Sequence, residues 1–253
     1  MSGLRSACAV LLAAVSCAVG AQPPRVVEVQ PSAEEVPENL LRISLRFDAP
    51  VAEEVLSRLS LRHADDRAID RPFLPQELWS PDGRILTILL HPGRVKTGLV
   101  ARETLGPFLV AGEEVVLMMD GQPLRRWTVA PADTEGPVVA RWHVSPAPSG
   151  TRQPLVVTLD GPIDGRDVDF IAVVGSDEQR VEGQARLRDG ERAWTFAPNR
   201  RWRPGSYRLI VRETLEDAAG NRLGGRFETS MLGPQAAPRA SALSFSVRND
   251  GAR

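Results

Sequence analysis

The residue types that most often bind metals, and that serve in much acid–base catalysis, number three histidines, two cysteines and 32 acidic residues in this 253-residue chain. His63, His91 and His143 do not form H-E-x-x-H or any other metal-ligand spacing. Glu113 and Glu114 are adjacent in a strand-like segment, where neighbouring side chains face opposite sides of a sheet. The sequence therefore predicts no catalytic residue, no metal ligand and no cofactor-binding residue.

Motifs for nucleophiles and nucleotides are also missing. The chain has no G-x-S-x-G elbow for a hydrolase serine and no G-x-x-x-x-G-K-[ST] phosphate loop. No G-x-G-x-x-G follows a strand-like segment. We therefore expect a protein that is not an enzyme and that carries no cofactor.

Asp217 and Asn221 carry side-chain oxygens of the kind that calcium binds, four residues apart. Calcium needs six to eight oxygen ligands, and only Glu216 and nearby carbonyl groups would add to this pair. The favoured interpretation is a tight turn, in which Asp217 caps the backbone and Gly220 and Asn221 adopt positive φ angles.

Trp202 lies among three arginines, Arg200, Arg201 and Arg203. A ring surrounded by guanidinium groups is able to stack on an anionic glycan or help to hold a phosphate. The favoured alternative is a solvated turn whose tryptophan packs into a β-sandwich, as large aromatic rings usually do.

An irregular segment, VKTGLVARETLGPFLVAG (95–112), interrupts the strand pattern of the first half. A loop this long inside a compact domain is often functional. Arg94, Lys96 and Arg102 give it polar groups, and its apolar residues would cover either a partner or their own domain. These three residues and Trp202 are the interaction candidates.

Residues 1–21 read as a secretory signal peptide. A positive charge near the start precedes an apolar run over 7–19, which is too short to span a bilayer with ease, and small residues follow. We expect export to the periplasm or the exterior, with cleavage between Ala21 and Gln22. A short membrane anchor and a lipoprotein signal read at Cys17 are the alternatives.

Cys8 and Cys17 both lie in this leader, so a chain that begins at Gln22 contains no thiol. Cysteine nucleophiles and cysteine-based zinc sites are thereby excluded, and no disulfide would stabilise the exported protein. The formal charge of −1 gives no reason to expect nucleic acid as a partner. No later apolar run approaches about 18 residues, so we expect no membrane span in the mature chain.

The rest of the chain consists of short alternating segments separated by turn signals. In 41–47, four apolar residues alternate with Arg42, Ser44 and Arg46, the pattern of a strand with one buried and one wet face. Asp120-Gly121 predicts a tight hairpin turn. The fold class is therefore all-β, with antiparallel sheets packed as sandwiches.

The two halves resemble each other, as RFDAPV (46–51) and TLDGPI (158–163) show. A Pro-rich and acidic stretch separates them. The end of the chain is rich in alanine, proline and serine, although 241–248 is able to form an edge strand. The predicted divisions are a signal peptide (1–21), a sandwich domain with an inserted loop near 94–111 (23–132), a linker (133–136), a second sandwich domain (137–232) and a loosely held tail (233–253).

The longest motif is TFAPNRRWRPGSYRLIV (195–211) with DAAGNRL (217–223) and Phe227. It resembles the bacterial immunoglobulin-like domains of the S-layer (SbsA) type, which have a Pro-Gly-Tyr segment and a closing strand after an Asp-x-Ala-Gly-Asn turn. The first half shares RFDAPV, but the insertion and Asp120-Gly121 depart from the pattern. The resemblance implies two tandem immunoglobulin-like sandwiches and the non-enzymatic role of a spacer or adhesive module.

The sequence thus predicts an exported, non-catalytic module of the bacterial cell envelope with a structural or protein-interaction role. The alternative is a protein that binds carbohydrate or another envelope polymer through 95–112 or the Arg-Trp cluster. A weaker alternative is a hydrolase of envelope polymers, which would need two carboxylates that converge in a cleft. The expected partner is an unknown protein or an envelope polymer.

Overall fold

The computed structural model describes residues 23–95, 107–223 and 241–249. The predicted signal peptide, Lys96 and Arg102 lie outside this part of the chain. None of the short helices found there is long and apolar enough to cross a membrane. These helices are α1 (Pro92–Val95) and three 3-10 helices, Leu56–Arg58, Val139–Arg141 and Gly165–Phe170.

The first half folds into two packed sheets. One sheet has the strand order β1-β3-β6-β5 and the other has β2-β8-β7-β4. All neighbours pair antiparallel except β2 and β8, which are parallel. The strands are β1 (Val26–Gln30), β2 (Glu35–Pro37), β3 (Arg42–Phe47), β4 (Leu59–His63), β5 (Phe73–Trp79), β6 (Ile85–Leu90), β7 (Glu114–Met119) and β8 (Gln122–Ala130).

The second half repeats this plan with the sheets β12-β13-β10-β9 and β11-β14-β15. In chain order both halves have the A-B-E-D and C-F-G sheets of the immunoglobulin sandwich. The predicted all-β fold of two tandem immunoglobulin-like sandwiches is confirmed. The strands are β9 (His143–Ser145), β10 (Leu155–Thr158), β11 (Ile171–Gly175), β12 (Gly183–Arg188), β13 (Ala193–Pro198), β14 (Gly205–Val211) and β15 (Ser241–Val247).

Each sandwich has its own apolar core, built from the inward-facing side of its alternating strands. Trp127 is enclosed in the first core and Trp194 in the second. Full burial of a large apolar side chain contributes about 1.5–3 kcal/mol, and neither core contains a cysteine, so apolar burial stabilises both sandwiches. Ala218 is the exception to the division, because it belongs to the second half but packs in the first core.

Asp120-Gly121 forms the predicted two-residue hairpin between β7 and β8. Met119 pairs with Gln122, and the two turn residues have φ angles of +50° and +75°. Two consecutive left-handed residues are what a type I′ turn requires. The short turn signal was therefore sufficient to place this hairpin from sequence.

The sequence predicted the closing strand of the second sandwich near Phe227, which lies outside the described residues. The strand beside β14 is β15, which lies within the segment predicted to be a loosely held tail. It is held there because Phe245 and Val247 are buried in the second core. It corresponds to the edge strand that the sequence allowed over 241–248.

The face of β3 that was predicted to be wet is largely covered. Ser44 is only 6% exposed and lies 3.0 Å from the Thr87 hydroxyl on β6. Arg42 on the same face is also mostly enclosed. The alternation along the strand was predicted correctly, but the second sandwich replaces solvent at Arg42, whereas Arg46 on the same face stays exposed.

Candidate functional site at the junction of the two sandwiches

Three loops at one end of the second sandwich pack against the first. They follow β10, β12 and β14, the B–C, D–E and F–G connections that cluster at one end of an immunoglobulin sandwich. The Asp164 carboxylate from the first loop accepts from Arg42 at 2.7 Å. The Glu191 carboxylate from the second accepts the Ser32 N–H at 2.9 and 3.0 Å. The F–G connection contributes a main-chain contact.

That contact joins the Leu41 N–H to the Ala218 carbonyl at 3.0 Å. Beside it, Asn39 exchanges two hydrogen bonds with the Asp133 backbone, at 2.7 and 2.9 Å. The linker is thereby fixed to the first sandwich as well. Main-chain and side-chain bonds together hold the two sandwiches in one arrangement.

Arg42 is the central cation of the junction. Its guanidinium group binds Asp164 and Glu216, and the three side chains are 13%, 6% and 13% exposed. Arg166 and Arg222 bind the outer sides of the same two carboxylates. Burial by itself would raise the pKa of Asp164, but Arg166 and Arg42 outweigh it and the pKa is lowered. These carboxylates converge, but each is occupied by guanidinium groups.

Asp167 stabilises the same network through the backbone of Glu216. Its Oδ2 atom accepts the Glu216 N–H at 2.7 Å, which orients the carboxylate that binds Arg42. Burial raises the pKa of Asp167 to about 6, since its N–H donor only partly replaces lost hydration. Glu191 is a related case, because burial raises its pKa although it caps the Ser32 backbone.

The D-A-A-G-N turn is a hydrogen-bonded structural turn. Asp217 Oδ1 accepts the N–H groups of Ala219 and Asn221 at 2.8 and 2.9 Å, and its Oδ2 accepts from the Asn221 amide at 2.8 Å. Burial raises the pKa of Asp217 to about 7. Gly220 has a φ angle of +82°.

Asn221 does not adopt the positive φ angle that the sequence interpretation gave it. Its side-chain amide instead joins Asp217 to the Asp133 carbonyl at 2.9 Å, which ties the turn to the linker. Both carboxylate oxygens of Asp217 are thus used within the protein. Among the residues the structure describes, no three His, Cys, Asp or Glu side chains are placed to hold a metal ion.

Arg94 points inward. It is 7% exposed, its Nη1 donates to the Asp70 carbonyl, and its guanidinium carbon lies 5.0 Å from the centre of the Phe108 ring. Burial lowers its pKa. Phe108 and Leu109, on the far side of the insertion, are buried in the first core. The described ends of the insertion therefore attach it to its own domain.

Trp202 is a core residue. It is 3% exposed, its Nε1 donates to the Gln153 carbonyl at 2.9 Å, and its ring meets Tyr207 edge-on at 5.4 Å. It also packs beside Phe196. Its ring therefore offers no face to a ligand, because it lies in the position where the sandwich needs an apolar residue.

A solvent-open cleft of about 520 Å³ lies beside the junction network. Its floor is the outer face of the β1-β3-β6 sheet, which contributes alternate residues. Its wall is β12, which contributes four consecutive residues, and the helix Gly165–Phe170 closes one end. We call this space the junction cleft; it is lined by Glu28, Gln30, Ser32, Ser44, Arg46, Ile85, Gly165, Val168, Ala185, Arg186, Leu187 and Arg188.

The junction cleft carries an excess of positive charge. Arg46 forms an ion pair with Glu28 on the floor. Arg186 and Arg188 are exposed on the wall, and neither has an ion-pair partner among the described residues. Guanidinium groups with unused donors are suited to carboxylates, which they bind in a bidentate manner.

Sequence reasoning missed these residues. Arg186 and Arg188 alternate with Ala185 and Leu187, which identifies an amphipathic strand but not its position in a sheet. Whether a strand lies at an edge depends on which strands pair with it, and the floor residues that face this edge lie about a hundred or more positions earlier in the chain. The sequence signal was present in Q-A-R-L-R, but it was not specific.

No protein-family model matches the chain, and no curated protein matches it. Among solved structures, the chain is similar to an L,D-transpeptidase from Mycobacterium smegmatis, with 13% identity over 86% of this chain and 73% of that one and a TM-score of 0.31. It is similar to the Ig1-2 module of the Drosophila receptor protein tyrosine phosphatase DLAR, with 12% identity over 90% and 99% and a TM-score of 0.25. It is also similar to domains 5-6 of the S-layer protein SbsC, with 9% identity over 90% of this chain and 98% of that one and a TM-score of 0.25.

The class of this protein follows from its own strand order. It is a tandem of two immunoglobulin-like β-sandwiches joined through the loops of the second.

Proposed function

We propose that this chain is an exported, non-catalytic protein-interaction module of the bacterial cell envelope, related to the S-layer type of immunoglobulin-like domain. Its recognition surface is the junction cleft. The observation that carries the proposal is the placement of Arg186 and Arg188, exposed and without ion-pair partners in the described chain, on a cleft between two sandwiches. The expected partner surface is acidic.

The junction network favours this function because it fixes the cleft before any partner arrives. A preformed site loses less conformational freedom on binding than one that must be ordered, and more of the contact energy appears as affinity. The volume of about 520 Å³ lies within the range of about 300–1,000 Å³ that is usual for ligand pockets. The buried carboxylates are used to build the junction, which supports a non-catalytic role.

The proposal is tested by capture on the immobilised mature chain, beginning at Gln22. We expect wild type to retain one envelope protein in stoichiometric amount, and the Arg186→Glu/Arg188→Glu variant to lose it. An Arg200→Glu variant, changed at an exposed turn outside the cleft, is the matched control and retains it. Retention of isolated peptidoglycan or polysaccharide that is equal in all three proteins would establish the polymer-binding alternative instead.

A further inference from the structure

Most edge strands of the two sandwiches are protected against pairing with another chain. Prolines occupy β2 and β5, as Pro37 and Pro75. The register of β1 is broken between Val26 and Glu28, and β9 has only three residues. Short, bulged or proline-containing edges are the usual means by which natural sheets avoid unwanted strand addition.

Two further edges are covered by the chain itself. The Ile69 N–H donates to the Leu61 carbonyl on β4, at 2.9 Å. In the same place in the second sandwich, the Val181 N–H donates to the Val173 carbonyl on β11, at 2.8 Å. The C–D connection of each sandwich thus fills part of the free edge of its own C strand.

Strands β12 and β15 lack all of these protections, but β15 belongs to the other sheet of the second sandwich and does not line the junction cleft. Strand β12 has six residues, contains no proline and keeps an unbroken register with β13. It is also the edge that lines the junction cleft, and the consecutive residues 185–188 all reach that space. Since a strand seen face-on contributes only alternate residues, β12 presents its hydrogen-bonding edge to the cleft.

The register shows which backbone groups are available. The Asn199 N–H donates to the Glu182 carbonyl at 2.8 Å, and hydrogen-bonded pairs alternate along an antiparallel ladder. Gln184, Arg186 and Arg188 therefore bond to β13, whereas the N–H and C=O groups of Ala185 and Leu187 point into the cleft. Within the described residues, nothing accepts a hydrogen bond from either of these two N–H groups.

The side chains of β12 specify the charge of an added strand. Ala185 and Leu187 pack against the second core, so Arg186 and Arg188 project from the opposite face of the sheet. A residue directly opposite on a neighbouring strand would have its Cβ atom about 4.5–5.5 Å away. Carboxylates at alternate positions of that strand would meet both guanidinium groups.

We infer that β12 receives an extended, acidic segment of a partner protein, which pairs with Ala185 and Leu187 as an additional strand and places alternating carboxylates against Arg186 and Arg188. This mode of recognition rests on the proposed function of the junction cleft. Main-chain bonds supply affinity and alternate side chains supply selectivity, as in other cases of strand addition.

The test is binding of a fluorescent eight-residue peptide of alternating threonine and glutamate to the full chain, measured by anisotropy. Ala185→Pro removes one outward N–H without breaking a bond to β13, and we expect it to weaken binding by about tenfold or more. Ala185→Val keeps the N–H and is the matched control, with affinity unchanged within about twofold. Thermal unfolding of both variants verifies that they are folded.

Charge reversal supplies the second arm. We expect Arg186→Glu/Arg188→Glu to lose the glutamate peptide by about tenfold or more and to bind the corresponding lysine peptide instead. Amide exchange of the wild-type chain gives a readout that needs no variant: the peptide should slow exchange at Ala185 and Leu187.

The results separate the two proposals. Normal peptide binding by Ala185→Pro, or no protection at Ala185 and Leu187, overturns strand addition. If charge reversal nevertheless abolishes capture of the envelope partner, the cleft remains the recognition surface and binds its partner through charge alone. If neither change affects capture of that partner, the proposed function fails as well.

Discussion

Replacing Arg42 by methionine should destabilise the protein far more than the same change four residues along the strand. Arg42→Met leaves the carboxylates of Asp164 and Glu216 enclosed, at 6% and 13% exposure, without their shared cation. Breaking a buried ion pair by removing one partner costs about 3–5 kcal/mol. Because Arg166 and Arg222 still bind these carboxylates, we expect about 3 kcal/mol.

Arg46→Met is the matched control. Arg46 lies on the same face of β3, but its ion pair with Glu28 is exposed, with 56% and 32% of the two side chains accessible. Exposed pairs of this kind contribute about 0–1 kcal/mol. The same residue change on the same strand therefore separates a buried cation from a solvated one.

The measurement is urea unfolding followed by circular dichroism at pH 7, with the free energy of unfolding taken from each transition. We expect Arg42→Met to lower it by about 2 kcal/mol or more relative to Arg46→Met, or to divide one transition into two. Equal stability of the two variants would refute the reasoning, because it would mean that the junction does not depend on Arg42.

Three further predictions concern the pH dependence of stability, the substitution of Gly190 and the truncation of Trp202. Burial holds the pKa of Asp217 at about 7 and of Asp167 at about 6. Between pH 5 and pH 8 the folded protein therefore keeps protons that the unfolded chain releases, and the free energy of unfolding should fall by about 2–4 kcal/mol as the pH rises over this range. The measurement is urea unfolding at both pH values. The Asp217→Asn variant should lose most of this pH dependence, because position 217 then no longer titrates. Gly190 has a φ angle of +62°, and a Cβ there would lie 2.9 Å from the Ala33 backbone, so Gly190→Ala should lower the melting temperature by several degrees, equivalent to about 1–3 kcal/mol. Trp202→Ala should cost about 3–5 kcal/mol in urea, and a loss below about 1 kcal/mol would contradict its place in the core.

The sequence was sufficient for the parts of the fold that depend on local pattern. Alternation along 41–47 predicted β3, and Asp120-Gly121 predicted its hairpin, because a two-residue turn and a period of two are properties of a few neighbouring residues. The tandem sandwich followed from the repetition of such segments. None of these inferences needed contacts between distant parts of the chain.

The junction could not be predicted in this way. Ser44 and Arg42 have the spacing of solvent-facing residues, and they are covered only because loops more than a hundred residues later fold over them. The sequence allowed an edge strand over 241–248 within the tail, but the composition of that segment did not show its pairing with β14. Arg186 and Arg188 are ordinary strand residues until the edge position of β12 is known.

The candidates that were chosen from sequence were chosen for unusual composition. Trp202 attracts attention among arginines, yet its ring fills the core of the sandwich. Arg94 marks an insertion, yet it bonds back to Asp70. Asp217 and Asn221 have the oxygen atoms of a cation site, but those atoms complete a turn. In each case the packing of the fold accounts for the residue.

Site-specific photocrosslinking in the cells that make this protein tests the central claim most directly. A benzophenone amino acid is placed at position 85, in the floor of the junction cleft, where it leaves Arg186 and Arg188 unchanged, and at position 200, on an exposed turn outside the cleft. A recognition surface at the cleft predicts one defined protein adduct from position 85 and none of that adduct from position 200. The same adduct from both positions, or none from position 85, would contradict the assignment of the junction cleft as the recognition surface.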